Sequence, residues 1–304
     1  MTENVIRALR AIAPERVLTN EPMDRHISFR AGGPADVFFM PANAQELASA
    51  IEIGRQEGVR VHMIGAGTNL VVPSEGVRGL VIALGDHFSK VEREGNVIKA
   101  QAGAKLSRIA QEALGASLTG LEFAAGIPGT MGGGAAMNAG AYGGQLSDCI
   151  TTVQALIDGR VETLSAAGME FGYRTSMPLK KGAVVLWAEM TLQAGDKEAI
   201  GETMRELNRR RREKQPLEFP SAGSTFKRPE GYFAGALIEQ AGLKGLSVGG
   251  AQVSEKHAGF IINKGGATGD DILGLIALVQ KKVYENSGVR LEREVRVLGR
   301  DMQE

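Results

Sequence analysis

Of the chain's 304 residues only one, Cys149, is a cysteine. A single thiol excludes an intrachain disulfide and any cysteine-built metal centre, and its expected role is that of a small, buried, inert hydrophobe. An excess of either charge is missing too, since Lys plus Arg and Asp plus Glu number 35 each. Such a chain offers no global field to nucleic acid, and an anionic ligand has to be held by local groups. No apolar run approaches the ~20 residues that span a bilayer, and the opening MTENVIRALR lacks the apolar core of a secretory signal. A cytoplasmic protein is expected, with no nucleic-acid partner and no membrane insertion. His26, His62, His87 and His257 have no paired spacing, so no metal site is expected. Ser224 stands in GST rather than GxSxG, and no hydrolase nucleophile with its base is visible.

Glycine is plentiful by contrast, and eight of the residues at positions 126–144 (GIPGTMGGGAAMNAGAYGG) are glycine. Almost no side chain projects far from that backbone, so something comes close to it. Successive unhindered amides form an anion-binding concavity, which reads as a phosphate cradle. Glycine clusters also serve close packing of a turn under a sheet, and the spacing alone leaves both readings open. A second glycine turn, GAGTN at 65–69, follows a strand-like run, the usual ligand-contact position in α/β sheets. It lacks the third glycine of GxGxxG and runs into another strand, so it is no Rossmann fingerprint. Neither glycine segment ends in Gly-Lys-Ser/Thr, which excludes a P-loop.

In chain order, 5–12 reads as a helix, and Gly32, Gly33 and Pro34 turn the chain into a strand over 35–40. Asn43 caps a helix carrying Leu47, Ala50, Ile51 and Gly54 on one side; Gly58 closes it, and 59–64 is the next strand. Further on, Glu94-Gly95-Asn96 and Asp158-Gly159-Arg160 read as hairpin turns, and 104–114 as a helix. The run 183–193 is a strong strand on which Trp187 is expected to anchor the core. Asp196 caps a helix with Ile200, Met204 and Leu207 inward that continues into NRRRREKQP and stops at Pro216. Its arginines suit either a solvated helix end or a diphosphate ligand. A last helix, 270–285, turns Ile272, Leu273, Ile276, Val279 and Val283 inward. The expected class is α+β, with a domain boundary at Gly195-Asp196. Redox or group-transfer chemistry on a nucleotide-bearing ligand is what remains.

SFRAGGPAD, IGAGTNLVV, GIPGTMGGGAAMNAGAYG, YRTS, AGSTFKRP, SEKHAGFIIN and LEREVR follow one another over nearly the whole chain. Together they resemble the motifs of the UDP-N-acetylenolpyruvoylglucosamine reductases (MurB). The short interval between YRTS and the serine loop resembles the type II branch, which lacks the added tyrosine loop and split β-α-β-β insert of type I. The resemblance implies a two-lobed FAD-binding domain of the vanillyl-alcohol-oxidase (PCMH) type plus a separate α/β substrate-binding domain. Residues 1–75 would form the first lobe, 76–195 the second and 196–295 the substrate domain, with 296–304 returning to the first lobe. It also implies an enzyme of peptidoglycan precursor synthesis, in which NADPH reduces FAD and leaves. UDP-N-acetylglucosamine enolpyruvate then enters the same cleft, takes hydride at its methylene carbon and becomes UDP-N-acetylmuramate. Covalent FAD is not implied, since no histidine falls in the matched loops.

For cofactor binding the resemblance implies Gly65, Ala66, Gly67, Thr68, Asn69 and Leu70 in the first loop. In the second it implies Gly126, Ile127, Pro128, Gly129, Gly132, Gly133, Asn138, Gly140, Ala141 and Tyr142. Arg174 would pair with the substrate carboxylate, for which a planar fork is suited. Ser224 would protonate the enolate carbon, and Glu294 would stand beside the same group. A bare carboxylate repels an enolate, so Glu294 needs a raised pKa or a donor to orient. Glu292 is a glutamate of the same stretch that the motif does not select. Tyr173, Arg210, Lys214, Arg228 and His257 are implied as substrate contacts. Arg228 stands where several relatives have asparagine and His257 where others carry glutamine; arginine, unlike asparagine, offers no acceptor. Two other readings are a different flavoprotein of the same fold and a catalytically silent sugar-nucleotide-binding module. Arginine, serine and glutamate, each in its motif, argue against both.

Overall fold

Helix Ala44–Gln56 begins where the Asn43 side chain accepts the Glu46 amide N–H at 2.9 Å. It gives way to Gly58, whose φ of +62° suits a residue without Cβ. The structure, a computed structural model, describes residues 2–300. Four strands make the first sheet, in the order Val17–Pro22, Pro34–Phe39, Val77–Ala83 and Val61–Ile64. The first pair is antiparallel and the other two parallel, so both faces need cover. Val37, Phe39, Leu80 and Ile82 pack under helices Thr2–Ile12 and Ala44–Gln56, through Val5, Leu9, Leu47 and Ala50. Phe38 and Val81, on the opposite face, share a core with Ile272, Ile276 and Val279 of the last third.

The second sheet is antiparallel, in the order Arg160–Ser165, Ile150–Ile157, Val184–Thr191, Val97–Gln101 and Val91–Glu94. Asp158 and Gly159, at φ +47° and +77°, give its first hairpin the left-handed pair that a tight turn of the right twist requires. Ile98, Ala100, Val153, Ala188 and Met190 line its inner face with helix Leu106–Gly115. Ile200 and Met204 seat helix Lys197–Lys214 in the same core, with the Asp196 side chain accepting the Ala199 N–H at 2.8 Å. Trp187 does not anchor that core. It falls on the opposite face, beside Glu189 and opposite Gln101, where it packs half-buried against the core of the first sheet with Lys99 Nζ 5.4 Å above its ring. Strand parity turns Ala188 inward instead. Cys149 is buried as expected, and burial pushes its thiol up to about 12.

In the last third, strands Ser247–Val248, Ala251–Val253 and Ile261–Asn263 form a small antiparallel sheet backed by helix Gly269–Ser287. Thr268 and Asp271 box its N-terminus, each side chain accepting the other's amide N–H. Leu275 lies in the core, with Leu273 half-buried beside it. Strand Arg296–Val297 then returns to pair in parallel with Leu70–Val71 of the first lobe. Of the stretch expected to return, 301–304 lie outside the described residues. No helix among the described residues is long and apolar enough to cross a membrane.

Candidate active site

The two glycine loops meet. A Cβ on Gly67 would lie 2.1 Å from the His26 carbonyl oxygen, so the first loop is pressed against the chain at 26–28. The second stretch contains helix Met131–Ala136, which a strand end holds from below: a Cβ on Gly132 would stand 2.7 Å from that of Ala102. Gly133, one residue on, is exposed and a Cβ there would meet nothing closer than 3.9 Å. The packing reading holds at Gly67 and Gly132, whereas Gly133 leaves the space above its backbone open, as a cradle needs. Between the loops, Thr130 Oγ1 is buried without a hydrogen-bond partner, 2.5 Å from where a Gly65 Cβ would sit. A buried hydroxyl without a partner is costly, and this one lies where the two glycine loops meet.

Not every residue of these loops faces the cradle. Leu70 contributes its side chain to the core, and Ile127 packs on the core of the second sheet. Asn138 is 3 % exposed and spends its side chain internally, accepting the Ser147 N–H at 3.0 Å and donating to the Gly172 carbonyl at 3.3 Å. Gly140 and Ala141 pair with Gly144–Gln145 in a two-residue ladder. Ala66, Pro128 and Tyr142 are exposed at the rim.

Arg174 and Glu294 come together beside this cradle. Tyr173 and Arg174 form the tip of a turn closed by the Gly172 N–H donating to the Thr175 carbonyl at 3.0 Å, with Arg174 at φ +58°. Its Nε donates to Glu294 Oε1 at 2.7 Å, and Nη2 to the Gly140 carbonyl at 3.4 Å. Burial pushes the Glu294 carboxyl above its ordinary value; Arg174 and, more weakly, Lys227 pull it back without cancelling the rise. The Glu294 carbonyl accepts Asn69 Nδ2–H at 3.0 Å, which ties this strand to the first glycine loop. Ser224 follows Gly223, at φ +76°, and is exposed with no hydrogen-bond partner for its hydroxyl among the described residues. Its neighbour Thr225 is pinned, donating its N–H to the Gly259 carbonyl and accepting that of Glu294 at 2.8 Å. Ser224 and Glu294 thus lie on adjoining segments, linked by the Glu294 N–H donating to the Thr225 carbonyl.

Outside this cluster the Tyr173 hydroxyl accepts the Arg228 N–H at 3.3 Å. The two residues line a groove of about 460 Å³ with Tyr232, Arg290 and Glu292. The Arg228 guanidinium carbon stands 4.0 Å from the Phe233 ring centre. Glu292 is exposed and engaged by Lys227 at 3.2 Å, whereas Glu294 is the enclosed carboxyl. Arg210 is exposed and held by Glu206 at 2.7 Å, and Lys214 is exposed on the last helical turn. His257 accepts the Gly259 N–H on Nδ1 at 3.1 Å and lies edge-on to Phe260, with burial pushing its pKa down. Among the described residues none of these last three bonds to the Arg174–Glu294 pair.

The basic group that does face the cradle is Arg211. A Cβ on Gly126 would stand 3.4 Å from its Cδ and 3.6 Å from Nη1. Its Nε donates to Gln215 Oε1 at 3.0 Å, and no carboxylate pairs with it among the described residues. Burial lowers its pKa while the nearby Tyr142 opposes the change. A half-buried guanidinium without a counter-ion fits an anionic ligand. The signal was in the helix phase, because Ile200, Met204, Asn208 and Arg211 recur on one face, and Arg210 does not.

Residues 35–165 match the family described as FAD binding domain, and 215–298 that described as UDP-N-acetylenolpyruvoylglucosamine reductase, C-terminal domain. The chain is 50 % identical to a UDP-N-acetylenolpyruvoylglucosamine reductase of Caldanaerobacter subterraneus over 301 residues, 98 % of this chain and 99 % of that protein. With the protein of that name from Alkaliphilus oremlandii it shares 48 % identity over 297 residues, 97 % of this chain and 98 % of the relative. The crystal structure of UDP-N-acetylenolpyruvylglucosamine reductase (MurB) from Thermus caldophilus is similar at a TM-score of 0.80 and 35 % identity. That match covers 92 % of this chain and 97 % of the other.

Proposed function

The chain belongs to the UDP-N-acetylenolpyruvoylglucosamine reductase family, and on that premise we propose that its cleft reduces UDP-N-acetylglucosamine enolpyruvate to UDP-N-acetylmuramate with NADPH, in the cytoplasm, as a step of peptidoglycan precursor synthesis. FAD bound in the cradle supplies the hydride that it has taken from NADPH. The unpartnered Thr130 hydroxyl, the open backbone at Gly133 and the unpaired Arg211 guanidinium fit its diphosphate-bearing chain. Two lobes hold this group, the first of them running past residue 75 because Val77–Ala83 is an inner strand of its sheet, and 196–295 holds the sugar nucleotide. Helix Lys197–Lys214 serves both, since its core is that of the second sheet.

The observation that carries the reading is the pair Arg174–Glu294 at the edge of the cradle, an arginine beside a carboxyl held above its usual range. Arg174 receives the substrate carboxylate on Nη1, the nitrogen without a partner among the described residues. Glu294 in its neutral form donates a proton toward the charge that develops beside that carboxylate, where an ionised group would repel it. Ser224, exposed and free to rotate, gives its hydroxyl proton to the neighbouring carbon. Tyr173 and Arg228 hold the outer part of the sugar nucleotide, and exposed Lys214 meets its phosphates together with Arg210, once the latter breaks a surface ion pair of little worth with Glu206. His257 shapes the turn beneath them.

An anaerobic visible spectrum tests this. Loss of the oxidised-flavin band on adding NADPH and its return on adding UDP-N-acetylglucosamine enolpyruvate are expected. Bleaching with no return on that addition would sink the substrate assignment, and a protein that cannot take up FAD would sink the whole reading.

A further inference from the structure

The turn bearing Arg174 is fastened at both ends to the segment that closes the glycine cradle. At one end Asn138 Nδ2–H donates to the Gly172 carbonyl at 3.3 Å, and Asn138 is itself fixed by accepting the Ser147 N–H on Oδ1 at 3.0 Å. At the other, Ser176 Oγ–H donates to the Ala136 carbonyl at 2.7 Å. That carbonyl is the last of helix Met131–Ala136, one of the orphan acceptors a helix leaves at its C-terminus. Ser176 is fully buried and Asn138 nearly so.

Between these two fixings the turn is held by its own Gly172–Thr175 bridge and by the bonds of the Arg174 side chain to Glu294 and Gly140. Tyr173 is 56 % exposed and touches the far side only through its hydroxyl. Arg174 occupies a left-handed conformation that an arginine does not choose for itself. A residue in that region persists when its surroundings over-determine it. Here Gly172 and Ser176 are the points at which they do so. The Nη2 contact with the Gly140 carbonyl then follows from the same fixings, since Asn138 and Gly140 lie two residues apart.

We infer that Asn138 and Ser176 are positioning residues for Arg174, locking the guanidinium at a fixed distance from the cofactor cradle so that the substrate carboxylate docks with its reacting carbon in register. Asn138 is thereby a buried strut rather than a cofactor contact. The inference rests on the proposed reduction of an enolpyruvyl sugar nucleotide, because only a carboxylate-bearing substrate makes use of Arg174 in this way. A change of about 1 Å in such a group costs on the order of 10²-fold in rate. The cost falls on the step that uses the arginine.

The test separates the two half-reactions by anaerobic stopped flow, in wild type and in Ser176→Ala. Flavin content and the rate of bleaching by NADPH are expected to stay within about twofold of wild type, while reoxidation by UDP-N-acetylglucosamine enolpyruvate slows by about 10- to 100-fold. A second readout distinguishes misplacement from general softening. With Arg174 drawn away, Glu294 loses the partner that lowers its proton affinity, so the alkaline limb of the reoxidation profile moves to higher pH. Ser176→Cys, which keeps a weak donor, is expected to recover part of the rate. Equal reoxidation in Ser176→Ala and wild type overturns the inference, and so does a parallel fall of both half-reactions. Should Ser176→Ala lose its flavin, Ser176→Cys and Asn138→Ala are measured the same way; loss of flavin in all three also overturns it, by making the fixings part of the cradle itself. Wild type that NADPH bleaches and the enolpyruvyl sugar leaves bleached refutes the proposed function instead, and the inference with it.

Discussion

Arg174 and Glu294, 120 residues apart in the chain, meet through one bond from Nε to Oε1 at 2.7 Å. Pairing through Nε leaves Nη1 of the fork without a partner among the described residues, and it leaves Glu294 enclosed enough that burial outweighs the attraction of the arginine. Nη1, unpartnered among the described residues, thus stands beside a carboxyl whose proton affinity burial raises.

Glu294→Gln is the first consequence to measure. A carboxyl whose folded value lies above its ordinary 4.5 binds its proton more tightly in the folded than in the unfolded chain. The stability it contributes is present below the ordinary value and is lost as pH rises through the folded one. The glutamine variant escapes that loss. Relative to wild type its thermal midpoint is expected to rise by roughly 2 °C or more between about pH 4 and about pH 7. A constant difference between the two proteins over that range would refute the raised proton affinity.

Ser224→Ala removes a hydroxyl that has no hydrogen-bond partner among the described residues. Sugar reduction is expected to fall by about 10²- to 10⁴-fold while NADPH still bleaches the flavin at the wild-type rate. Rapid-mixing spectra of the two half-reactions read this directly, and an equal loss in both would remove Ser224 from proton delivery.

Thr130→Val replaces the unpartnered hydroxyl with a methyl of similar shape. The apoprotein is expected to be as stable as wild type or more so, because a buried group without a partner costs about 1–3 kcal/mol. Affinity for FAD is expected to drop by about tenfold. Fluorescence titration of apoprotein with FAD, beside thermal midpoints without it, separates the two effects. Unchanged FAD affinity would mean that the hydroxyl faces no ligand.

Arg211→Gln is expected to weaken FAD binding by about 10- to 100-fold, the range for a charge-assisted bond lost from a half-buried site. Arg209→Gln, at an exposed residue engaged by Glu206 and Glu213, is the control and should change it by no more than about twofold. Equal effects from the two would point to the helix's overall charge instead of a contact.

Local features were the legible ones. The hairpin turn at Asp158-Gly159 and the caps at Asn43 and Asp196 rest on chemistry contained in a few consecutive residues, and each forms as expected. Trp187 packs on a core, but on that of the first sheet and only half-buried, because a strand pattern fixes alternation but not which core each face meets. Arg210 and Arg211 are equal in composition, and one step of about 100° around the helix separates a solvated ion pair from a residue aimed at Gly126. The meeting of Arg174 with Glu294 has no local signature at all. Only the order of motifs along the chain pointed to it. Asn138 lies inside a motif of the glycine stretch, yet its side chain serves Gly172 and Ser147, a distinction that sequence cannot carry.

The parallel pairing of Arg296–Val297 with Leu70–Val71 also orders events in time. Asn69 belongs to the first quarter of the chain, but both of its bonds, to the Glu294 carbonyl and from the Arg296 N–H at 3.0 Å, wait on residues translated more than two hundred positions later. A ribosome-bound chain halted before Glu294 holds the glycine loop with neither tie in place. The contact between the first glycine loop and the segment carrying Glu294 is therefore among the last that the growing chain can make.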